Sequence, residues 1–106
     1  PITLSDVSPE HQEIEYYLTS EINERYHEIE ELNFNENPKE KEMVLKELNE
    51  MDSIYRNLQT ELEANPNDER VINAMIEYYR KKIQIMNTIL QKFKNLKPHK
   101  YESTQL

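Results

Sequence analysis

Residues 72–96 read INAMIEYYRKKIQIMNTILQKFKNL, and their spacing decides the fold. Ile72, Ile76, Tyr79, Ile83, Met86, Leu90 and Phe93 recur at alternating steps of four and three, so one helical face returns every seven residues. Met75, Tyr78, Ile85, Ile89 and Leu96 fall on an adjoining strip. Together they make an apolar face too wide for a single seam, which predicts a helix with two neighbours to cover.

Working outward, the break ahead of this run is Ala64-Asn65-Pro66-Asn67-Asp68-Glu69. Pro66 has no amide donor and cannot extend a preceding helix. Asn65 or Asn67 can cap the next one, and Asp68 and Glu69 suit its first turn, where the dipole favours anions. Upstream, Val44, Leu48, Met51, Tyr55, Leu58 and Leu62 keep the same four-three alternation and predict a second helix over 38–64. Ser8 as N-cap, Pro9 at the first helical position and Glu10 behind it open a first helix. Its face is Ile14, Leu18, Ile22, Tyr26 and Ile29, with Tyr17 on the flank.

These patterns predict an all-α, antiparallel three-helix bundle with long helices and coiled-coil-like packing. The bundle occupies residues 1–97, with helices at about 9–32, 38–64 and 67–96, and Pro98 opens a loose tail over 98–106. Residues 1–7 read as an irregular lead. The NFNEN break at 33–37 supplies asparagine, which tolerates the left-handed conformation in a chain without glycine. Asn37 and Glu40 have capping-box spacing, and Phe34 suits the end of the bundle.

A chain of 106 residues fits one domain. Its 36% apolar and 32% charged content leaves a modest core. The absence of glycine disfavours phosphate loops and dinucleotide sites, and the absence of cysteine removes disulfides, thiolate nucleophiles and thiolate metal sites. The net charge of −8 is uneven: residues 1–36 carry −9, 37–65 carry −3 and 66–106 carry +4. An acidic rod beside a basic one follows, and the overall charge repels nucleic acid. No run is long and apolar enough for a membrane span or signal peptide. The start at Pro1 without methionine fits a processed or excised piece of a longer parent.

The polar residues make no catalytic or cofactor constellation. Glu24 and His27 have the Glu-x-x-His spacing of di-iron bundles, but that motif must occur on two helices, and here it occurs once. His11, His27 and His99 are scattered, and Ser8, Ser20 and Ser53 lack a supporting histidine. Paired carboxylates such as Glu13/Glu15 and Glu30/Glu31 read as solvated faces. The expectation is therefore no catalytic residue, no cofactor and no metal. Tyr17, Tyr26, Tyr55 and Tyr79 are expected at the core edges with hydroxyls reaching water. Tyr16, Met75, Tyr78, Ile85 and Ile89 are the candidate partner surface, tyrosine being favoured at interfaces.

Three stretches carry a family resemblance: TLSDVSPEH (Thr3–His11), ELEANPNDERVINAMI (Glu61–Ile76) and YYRKKIQIMNTILQKF (Tyr78–Phe93). They resemble the C-terminal helical region of membrane-anchored anti-sigma factors of Bacteroidetes-type bacteria. The resemblance implies an extracytoplasmic segment on the periplasmic side of the inner membrane, tethered through a parent segment outside this sequence. It implies no catalytic residue.

The leading expectation is thus a non-enzymatic helical interaction domain, the sensory or assembly portion of a membrane-tethered transcription regulator. It would bind a protein partner or a second copy as a homodimer, and it would not bind nucleic acid. The alternatives are a structural adaptor or dimerisation bundle in the cytoplasm, which would associate constitutively, and a metal-carboxylate helical-bundle enzyme, which would need bound metal.

Overall fold

The computed structural model describes residues 1–32 and 38–94. A 3₁₀ turn at Leu4–Asp6 leads into α1 (Pro9–Glu31). Next come α2 (Pro38–Glu50), α3 (Asp52–Ala64) and α4 (Glu69–Phe93). α2 and α3 are two halves of one rod, so the architecture is an all-α three-helix bundle with long helices. Glu15 meets Tyr79 and Arg25 meets Asn87, which makes α1 and α4 parallel. Asp52 meets Lys82 whereas Tyr55 packs on Tyr79, so α3 runs antiparallel to α4. The order is up, down, up.

Local chemistry sets most boundaries. Ser8 is extended and its hydroxyl accepts the His11 amide at 3.1 Å, with Pro9 behind it, as the sequence predicts. Asp68, rather than Asn65 or Asn67, caps α4, accepting the Arg70 amide at 3.0 Å. Asn65 instead ends α3, its amide reaching back to the Glu61 and Leu62 carbonyls. The expected caps and break at 33–37, residues Leu96 and 95–97 of the third helix, and the tail at 98–106 lie outside the described residues.

The predicted second helix is interrupted at Met51. Met51 keeps helical angles (φ −63°, ψ −23°), but the ladder slips there. The Ser53 hydroxyl takes the Glu50 carbonyl at 2.8 Å. The Ile54 amide, which would bond that carbonyl in a regular helix, turns to Met51 at 3.0 Å. A serine that bonds back to the preceding turn is a known cause of local tightening and bending.

Leu4, Ile29, Leu48, Leu62, Met75 and Met86 are fully enclosed, each worth about 1.5–3 kcal/mol relative to exposure. On α4 the buried residues are Val71, Ile72, Met75, Tyr78, Tyr79, Lys82 and Met86, so Ile72, Tyr79 and Met86 of the expected stripe are covered together with Met75 and Tyr78 of the adjoining strip, while Ile76, Ile83 and Leu90 are only half-buried. The lead is not irregular either. Leu4 plugs the core, and the segment is pinned by Leu4 N–H to the Tyr55 hydroxyl (3.1 Å) and by Gln59 to the Ile2 carbonyl (2.6 Å).

Candidate interaction face and the polar core beside it

α2 and α4 stand on either side of an open groove of about 390 Å³ along one side of the bundle. Its apolar lining is Met43 and Val44 from α2 and Ile85, Ile89 and Phe93 from α4. Met43 is 61% exposed and Ile85 36%. The flanks differ in sign: Glu40 and Glu47 stand on the α2 wall and Lys92 on the α4 wall.

The sequence-predicted partner residues therefore separate. Ile85 and Ile89 come together in this groove. Tyr16 is 74% exposed, but on α1, next to an exposed Tyr17. Met75 and Tyr78 are buried and are not available to a partner, a correction that follows from the width of the α4 face that α1 and α3 cover. Tyr17 is likewise not at a core edge. Met43 was missed because it sits one residue off the Val44–Leu48 stripe and reads as solvated until α4 is laid beside it.

A polar network lies deeper, between α1, α3 and α4. Glu15 is 9% exposed, not solvated as its glutamate-rich surroundings suggest. One carboxylate oxygen accepts the Ser5 amide (2.9 Å) and the Ser5 hydroxyl. The other accepts the Tyr55 and Tyr79 hydroxyls, both at 2.6 Å. Burial alone pushes this carboxyl up, and the hydrogen bonds from Ser5, Tyr55 and Tyr79 outweigh it, so the group sits below its ordinary 4.5. Burial and the hydrogen bond to the Glu15 carboxylate push Tyr55 up to about 12 and raise Tyr79 as well.

Beside it, Lys82 is 4% exposed and donates to Asp52 at 2.8 Å. The Tyr78 hydroxyl donates to the same oxygen at 2.9 Å, and the ammonium lies 5.2 Å from the Tyr26 ring centroid. Asp52 is held low and Lys82 high, in each case because their hydrogen bond overcomes the effect of burial. Tyr55, Tyr78 and Tyr79 pack with centroids 5.2–5.5 Å apart. An open cleft of about 430 Å³ reaches this network between Asn23, Asn49 and Arg56.

Both buried charges were detectable by heptad extrapolation. Glu15 stands three, seven and fourteen residues before Leu18, Ile22 and Ile29, and Lys82 stands seven after Met75. Glu24 and His27 are exposed and apart from the network. Among the described residues, no group of three histidines, cysteines or acids could hold a metal ion, and no helix is long and apolar enough to cross a membrane. No protein-family model, curated protein or solved structure matches this chain.

Proposed function

We propose that this chain is a non-enzymatic helical interaction domain, the sensory or assembly portion of a membrane-tethered anti-sigma-type regulator acting on the periplasmic side of the membrane. The observation that carries the reading is the α2–α4 groove, an apolar strip with Met43 and Ile85 open to solvent between walls of opposite charge. Its occupant is helical protein, with apolar anchors for the strip and flanking charges that complement Glu40, Glu47 and Lys92. The polar network supports a non-catalytic role. General acids and bases work best with pKa values near ambient pH. Here the carboxyls are held low and the lysine and tyrosines high, so each stays in its ordinary charge state at neutrality. The regulatory assignment rests on the resemblance of 3–11, 61–76 and 78–93.

The test is a chromosomal Met43→Glu/Ile85→Glu double variant of the full parent gene, read by transcript sequencing. Both side chains are exposed, so the purified domain should keep its melting temperature within about 2–3 °C. A confined set of transcripts should change. An unchanged transcriptome in cells holding the folded variant overturns the regulator reading.

A further inference from the structure

We infer that the partner in the α2–α4 groove is a second copy of this chain, related by a two-fold axis parallel to the helices. The inference rests on the interaction-domain reading above and adds the identity and orientation of the partner. Two copies can meet face to face on this groove in two symmetric ways. An axis across the helices lays α2 on the partner's α2 in reversed direction, which brings Glu40 toward Glu47 of the partner subunit. An axis along the helices lays α2 on the partner's α4 at the same level, which brings Glu40 to Lys92 of the partner subunit. Like charges opposite one another oppose assembly and unlike charges favour it, so the second arrangement is selected. The strip of Met43, Val44, Ile85, Ile89 and Phe93 then meets its own copy, and the four helices form a shared core.

The global charge supports the same choice of face. Residues 1–36 carry −9, so pairing through the exposed Tyr16 and Tyr17 of α1 would bring two strongly acidic rods together. On the groove, by contrast, the two-fold sets Glu40 of each copy against the oppositely charged Lys92 of the partner subunit. Its extent is modest, two to three turns of each wall, and falls short of the roughly 800 Å² per partner of a standard stable interface. The pair is therefore weak.

Sedimentation equilibrium of the full chain from about 10 µM to 1 mM tests this. The parent should pass from monomer to dimer in that range. Met43→Glu/Ile85→Glu should shift the midpoint at least tenfold upward while circular dichroism shows the fold intact. Glu40→Lys/Glu47→Lys and, separately, Lys92→Glu should each weaken the pair, and combining all three substitutions should restore it. Rescue by the complete swap is specific to α2 on the partner's α4, because the other axis would place like on like again. A parent that stays monomeric at 1 mM, a dimer indifferent to Met43 and Ile85, or a complete swap that fails to rescue overturns the inference. Any of these leaves the regulator reading standing on its own transcript test.

Discussion

Replacing Glu15 tests the polar core most directly. Glu15→Ala removes the acceptor of four hydrogen bonds at once. Tyr79 is buried, and its hydroxyl would lose this acceptor, at a cost of about 1–3 kcal/mol. The Ser5 and Tyr55 donors are only partly buried and can turn to water, so each loses the ordinary net value of about 0.5–1.5 kcal/mol. These losses are coupled, and a total of about 3–5 kcal/mol is expected, in line with removal of one member of a buried charged network. For a domain of this size that lowers the melting temperature by at least about 12 °C. Glu15→Gln keeps the shape and one acceptor, and should cost about 1–3 kcal/mol. The pH dependence supplies a second readout. A carboxyl held below its ordinary 4.5 contributes stability that is fully present above that value and is lost as pH falls through the lower, folded value. The gap between parent and Glu15→Gln should therefore narrow on acidification below about pH 4. Thermal melts by circular dichroism from pH 7 to pH 3 measure both. Glu15→Ala melting within about 2 °C of the parent at pH 7, or a Gln gap that stays constant down to pH 3, would refute the reasoning.

The Lys82–Asp52 pair should respond asymmetrically: Asp52→Ala strands a buried ammonium and should cost about 3 kcal/mol or more, whereas Lys82→Met leaves a half-exposed carboxylate and should cost under about 1 kcal/mol in urea melts. Tyr55 and Tyr78, held near 12, stabilise the fold below the ordinary pKa of 10, and that contribution is lost as pH rises through 12. Absorbance at about 295 nm should show their ionisation coinciding with loss of helical signal rather than preceding it. Ser53→Ala frees the Glu50 carbonyl for Ile54 and should straighten the rod, with a gain of up to about 1 kcal/mol and slower exchange of the Ile54 amide. Leu4→Ala should cost about 2–5 kcal/mol despite lying four residues from the start of the sequence, because its side chain is fully enclosed.

The sequence by itself determined the three rods, but not the break at Met51 that divides the second into α2 and α3. Apolar spacing at four and three, a serine and proline before α1, and a proline between the last two rods are local signals, and local hydrogen bonding obeys them. It also determined that Ile85 and Ile89 share a strip. Tertiary structure decided which strip is covered. Periodicity marks a face only to within the width of a side chain, and the seating of α1 and α3 widened the α4 core from Ile72, Tyr79 and Met86 to Met75, Tyr78 and Lys82. The fates of Glu15 and Lys82 were decided the same way. Heptad spacing puts each on the buried side of its own helix, but only the convergence of Ser5, Tyr55 and Tyr79, or of Asp52 and Tyr78, makes a buried charge tolerable. The groove belongs to the same class: Met43 is one exposed methionine in sequence, and it becomes part of a face only when α4 lies beside it.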